Sequence, residues 1–205
     1  MRILTYIIGF SCFLGVLACG SNQFDTSQEL QEYLADSNEG YVIEQSSGGI
    51  NFQLTYRPTD LLVAQHLGKP PYKKEDVNQW RTHYGKQLYW VLSMEHQQQE
   101  LLSSVPQNRE EYGVLSHLLS FEMGNWVRLI SSQQDTLSLI TYDYPRMYGM
   151  HGTTSLLFVF EKSVSLEKAK NLSFELDDFL GWDQNLTFSF PTNLIATQPQ
   201  INFTP

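Results

Sequence analysis

Cysteine is nearly absent from this chain. Its 205 residues hold two, Cys12 and Cys19, and both lie in the first nineteen positions. Everything after Cys19 lacks a thiol. That excludes disulfides, cysteine-ligated zinc, iron–sulfur clusters and a cysteine nucleophile from the folded part. Basic residues are also scarce, with 13 Lys and Arg against 22 Asp and Glu and a net charge of −9. An acidic surface argues against nucleic acid and against electrostatic docking on anionic lipid. No internal repeat, low-complexity tract or Pro-rich stalk interrupts the chain. Apart from the N-terminus, no long apolar run occurs.

Motifs for common chemistries are missing too. The histidines are His66, His83, His96, His117 and His151. No two share a metal-ligand spacing, and there is no H-E-x-x-H. We therefore expect no metal and no cofactor. G-x-S-x-G is absent. Ser165-Leu166-Glu167-Lys168 fits S-x-x-K, but the further motifs and the chain length of penicillin-binding enzymes are not there. Glu110-Glu111 and Asp177-Asp178 are adjacent pairs. Adjacent carboxylates do not face each other across a cleft, as glycosidase chemistry requires.

What is present begins at the N-terminus. Met1-Arg2 supplies a positive end, Ile3 to Val16 is mostly apolar, and Ala18 is a small residue before Cys19. Val16-Leu17-Ala18-Cys19-Gly20-Ser21 resembles the lipobox of a bacterial lipoprotein. The resemblance implies cleavage after Ala18 and a diacylglyceryl thioether, usually with an N-acyl chain, on Cys19. One acyl chain binds a membrane marginally, at about 0.8 kcal/mol per buried methylene, whereas three make residence effectively permanent. The expected organisation is a signal peptide over 1–18, a lipidated Cys19 with a short tether over 19–25, and one domain over 26–205. Gly20 lacks the Asp that marks inner-membrane retention in enteric bacteria, which points to the outer membrane. The face of that membrane and the oligomeric state stay open.

The rest of the chain predicts an α+β fold: an antiparallel sheet or sandwich, strand-rich in the second half, with three or four helices mainly in the first half. Thr26-Ser27-Gln28-Glu29 reads as a capping box opening a helix. Tyr41 to Gln45 and Ile50 to Tyr56 flank Ser46-Ser47-Gly48-Gly49 as a hairpin. Helices are expected over Thr59–Leu67, Lys73–Tyr84 and Asn108–Phe121, the last with Tyr112, Leu115, Leu118 and Leu119 as its apolar stripe. Leu88, Trp90, Leu92 and Met94 alternate at strand period. Further strands are expected over Trp126–Ile130, Thr136–Tyr144, Ser155–Phe160, Leu172–Leu176 and Leu186–Phe190, with a helical turn in Ser165–Lys170.

Asp143-Tyr144-Pro145-Arg146-Met147-Tyr148-Gly149, Ser155 to Phe160 and Leu186 to Phe190 resemble a group of uncharacterised lipoproteins of Bacteroidota. That resemblance covers the last third of the chain. It implies an envelope location and carries no activity.

The segment Tyr142 to Gly152 is the candidate ligand site. It clusters Tyr142, Tyr144, Arg146, Tyr148 and His151, and Gly149 and Gly152 permit tight turns. Tyrosines with an arginine suit stacking and hydrogen bonding to a glycan or peptide. Asp135-Thr136-Leu137 matches a short O-glycosylation motif, so Thr136 is a candidate glycan acceptor. Three function classes follow: a non-enzymatic lipoprotein binding another envelope protein, a glycan- or peptide-binding module, or a small hydrolase.

Overall fold

The computed structural model describes residues 22–146, 152–182 and 185–203. Cys12 and Cys19 lie outside that range, as do Tyr148, Gly149 and His151. The described chain is α+β, as expected. It opens with strand β1 (Gln23–Phe24), helix α1 (Ser27–Ala35), strands β2 (Val42–Ser47) and β3 (Ile50–Arg57), and helices α2 (Thr59–Leu67) and α3 (Lys74–Tyr84). Strand β4 (Gln87–His96) and helices α4 (Leu101–Ser104) and α5 (Arg109–His117) follow. Strands then dominate: β5 (Val127–Ser131), β6 (Thr136–Leu137), β7 (Leu139–Asp143), β8 (Thr154–Glu161), β9 (Asn171–Leu176) and β10 (Leu186–Pro191). Helix α6 (Thr192–Ala196) and strand β11 (Gln200–Ile201) close the chain.

Local chemistry sets these boundaries. Thr26 Oγ1 accepts the Glu29 N–H at 3.1 Å, the first half of a capping box. Glu29 closes the other half one residue early, accepting from Asp25 N at 3.1 Å. Gly48 and Gly49 turn the β2–β3 hairpin with φ of 58° and 80°, a pair of positive values that few other residues tolerate. Pro58 ends β3 and stands before the first turn of α2, where no N–H is needed.

Two antiparallel sheets form a sandwich. One has the order β2-β3-β4-β8-β7 and the other β10-β9-β5-β6. Alternation along β4 places Leu88, Trp90, Leu92 and Met94 in the core, all essentially inaccessible. Trp90 meets Phe190 of the facing sheet with ring centroids 4.4 Å apart. Phe158 and Phe160 both meet Phe174 edge-on across the same interface. Aromatic edge-to-face packing thus joins the sheets.

The structure corrects several details. The run expected as one strand over Thr136–Tyr144 is two strands in different sheets. β6 pairs with β5 and β7 pairs with β8, and the chain crosses between layers at Ser138. That crossing is legible only from tertiary pairing, because both pieces have strand composition. The tether expected to reach residue 25 is docked from Asn22 onward. β1 runs parallel to β11, with Asn22 O accepting from Gln200 N at 2.7 Å and Phe24 O accepting from Asn202 N at 2.8 Å. No described helix is long and apolar enough to cross a membrane.

Candidate functional site

The most unusual surface of the described chain surrounds α5. Asn108 caps this helix, its Oδ1 accepting from Glu111 N at 3.0 Å. Glu111 Oε2 accepts from Gln107 N at 2.9 Å, fixing the entry. α5 then passes into a π-turn over Leu118–Glu122. Such a turn inserts a residue and shifts the helical register. The residues turned to the core are Leu115, Ser116, Leu119 and Met123. Tyr112, expected among the buried stripe, is 45% exposed, and Leu118 is only partly buried. Val114 and Phe121, on the outer side, are 64% and 70% exposed.

Opposite α5 lies the segment Phe179-Leu180-Gly181-Trp182. Asp178 fixes its start, with Oδ1 accepting from Leu180 N at 3.2 Å. Gly181 has φ of 73°, a left-handed value that disfavours any side chain. Phe179 is buried and Trp182 remains 38% exposed. A groove of about 510 Å³ runs between helix and segment, with Val105, Val114, Leu115, Leu118, Phe179 and Trp182 among its walls. Its rim carries Glu110 and Glu111, and no basic residue lines it among the described residues. Isolated exposed apolar side chains are ordinary, but several lining one groove with a charged rim make it the candidate interaction surface.

The described start of the expected tyrosine loop, Tyr142 to Arg146, supports this region from behind. Tyr142 lies in β7 and stacks on Phe158 at 5.7 Å between centroids. Its hydroxyl accepts the Met123 N–H at 3.2 Å, just past the π-turn. Burial pushes the Tyr142 hydroxyl pKa upward. Tyr144 packs partly buried against the core. Arg146 is exposed, and its Nη2 donates to Ser120 Oγ at 2.7 Å. Ser120 in turn donates to Ser116 O at 2.7 Å. Tyr142 and Arg146 therefore brace the π-turn, and a bulge between Leu139 and Thr141 puts Leu139 and Tyr142 against the core while Ile140 stays exposed. Tyr148 and His151 are outside the described residues.

The remaining candidates are scattered. Thr136 is exposed on β6, the edge strand of its sheet. Asp177 is bound by Arg128 at 2.6 Å, and Arg128 also reaches Glu175 at 3.2 Å. His66 stacks on Trp80 at 3.5 Å between ring centroids and meets the Tyr84 hydroxyl at 3.1 Å. His117 pairs with Glu122 at 3.2 Å. No three His, Cys, Asp or Glu side chains converge on a metal position among the described residues.

Val114, Phe179 and Trp182 are groove residues that sequence reasoning misses. A uniform 3.6 period through Phe121 hides the π-turn, and a Trp beside Gly181 was the only other signal. No family model, no curated protein and no solved structure matches this chain.

Proposed function

We propose that this chain is an envelope lipoprotein, held at the outer membrane through a lipid on Cys19, that binds another envelope protein in the groove beside α5. The observation carrying the binding role is the pairing of exposed Val114 and Trp182 across one apolar groove. The occupant is a partner segment with apolar side chains and basic flanks, matched to the Glu110–Glu111 rim. Position supports the reading as well. Gly20 and Ser21 span at most about 7 Å when extended, so a domain docked from Asn22 would stay close to its bilayer.

The anchor and the groove are tested separately. Cys19→Ser is expected to leave the chain unprocessed and without the thioether lipid in intact-mass measurement. A wild-type protein found wholly in the soluble fraction would overturn the anchor. For the groove, a photo-crosslinking residue is placed at Val114 and, as a control, at exposed Gln133. Position 114 should give one discrete adduct that 133 does not. Glu110→Lys should weaken it, and Trp182→Ala should lower the partner's affinity about thirtyfold, the effect of losing a central aromatic anchor. The same adducts from both positions, or an adduct indifferent to both substitutions, would rule the groove out.

A further inference from the structure

The five-stranded sheet turns its second face away from the sandwich core. Phe52, Leu54 and Tyr56 of β3 point inward and are buried, so Asn51, Gln53, Thr55 and Arg57 line the outer face. At one end α1 and α2 overhang this face. Leu34, Ala35 and Leu61 from the helices close with Val42, Val91 and Arg57 from the strands around a hollow of about 260 Å³. Gln31, Gln53, Thr55 and Ser93 add polar edges.

Arg57 is the only charged residue lining that hollow among the described residues. Its Nε is shut off from water and has no hydrogen-bond partner among them. The arginine ion pairs of the described chain are Arg81 with Asp60 and Arg128 with Glu175 and Asp177. Asp60, three positions from Arg57, is thus spent on Arg81. In a chain with 22 acidic residues, this isolation is not a shortage of anions. A half-buried guanidinium that gives up part of its hydration without gaining a counter-charge costs stability. Burial pulls the Arg57 pKa down, in keeping with that cost.

We infer that the hollow is a ligand site for a carboxylate carried on a small apolar body, distinct from the groove beside α5. The planar guanidinium fork grips a carboxylate by two parallel hydrogen bonds. Leu34, Ala35, Val42, Leu61 and Val91 would cover the apolar body. One guanidinium balances one negative charge, so a phosphate dianion would be left half compensated. The volume lies just under the roughly 300–1,000 Å³ of drug-sized pockets, which suits a short chain. Two sources present this chemistry: a free monocarboxylic acid, or the C-terminal apolar residue of a peptide.

The full chain in nonionic detergent is titrated with hexanoate, with neutral hexanol, and with Ala-Leu-Leu as its free acid and its C-terminal amide. At least one acid should bind saturably, with hexanol and the amide at least tenfold weaker. Tighter binding of the peptide acid identifies a peptide source, and tighter binding of hexanoate a free acid. Arg57→Gln should weaken the acid at least tenfold. Arg57→Met should raise the melting temperature of the unliganded protein, because a half-buried charge without a counter-ion is removed. The inference fails if neither acid binds saturably, if Arg57→Gln binds as wild type does, or if Arg57→Met lowers the melting temperature.

Discussion

Asp60→Ala should destabilise the domain by about 3 kcal/mol, at the lower end of the roughly 3–5 kcal/mol seen when one partner of a buried pair is removed. Asp60 is buried in the first turn of α2. Its carboxylate accepts from Arg81 Nε at 2.8 Å, from Arg81 Nη2 at 2.6 Å and from the Ile201 N–H at 2.8 Å. Arg81 Nη2 also donates to Ile201 O at 3.1 Å, and its guanidinium lies 5.2 Å over the Phe203 ring. The Asp60 hydrogen bonds hold the Arg81 pKa above its ordinary value. The variant therefore strands a cation and a backbone N–H together. The Arg81 side chain is 34% exposed, so it can rehydrate, which keeps the loss from reaching the upper end. At roughly 2–4 °C per kcal/mol for a domain of this size, the melting temperature should fall by about 6–12 °C. Arg128→Ala is the control. That arginine is more exposed, and surface pairs contribute about 1 kcal/mol or less. Equal melting temperatures for the two variants would contradict this account.

The Asp60 clasp also bears on the proposed anchor. It fixes β11, and β11 is the strand to which β1 is paired. A lipid on Cys19 would pull on the chain just ahead of β1, so load would pass to β11, Asp60 and Arg81 instead of to a loose end. Hydrogen exchange in Asp60→Ala should show Gln23 and Phe24 losing protection before the strands of the sandwich do.

The clasp shows why part of this molecule is legible from sequence and part is not. Thr26, Gly48-Gly49 and Pro58 act within a few residues of themselves, so their helix and turn signals read correctly. The alternation of Leu88, Trp90, Leu92 and Met94 carries its own core assignment. β1 and β11 have two residues each, too short for any periodic pattern. Their pairing joins residues 23 and 200, and nothing near either position announces it. The break at Ser138 is invisible for a similar reason, since only the partner strand tells which sheet a strand joins. The site residues are a different case. Tyr142 and Arg146 look like binding groups by type, but their hydroxyl and guanidinium already face Met123 and Ser120. Arg57 looks like an ordinary strand residue. Its isolation emerges only when the partners of every neighbouring acid are known.

Trp90→Ala is expected to be the most damaging single substitution in the core, at about 4 kcal/mol within the roughly 3–5 kcal/mol range for large aromatic truncations. Trp90 sits mid-sheet on β4, between Tyr56 of β3 and Phe158 of β8 in register. Its ring meets Tyr56 at 5.0 Å and Phe190 at 4.4 Å, so the cavity would open at the seam between the sheets. Yet its indole Nε1 is buried with no hydrogen-bond partner among the described residues. An unsatisfied buried donor costs about 1–3 kcal/mol. Trp90→Phe removes that donor while giving up roughly 40 Å² of apolar contact, about 1 kcal/mol at 25 cal/mol per Å². The two terms oppose each other, so Trp90→Phe should lie within about 1 kcal/mol of wild type in urea melts. A Phe variant as unstable as the Ala variant would instead mean that Nε1 is hydrogen-bonded to a buried water, and that the tryptophan is held there by its donor as much as by its size.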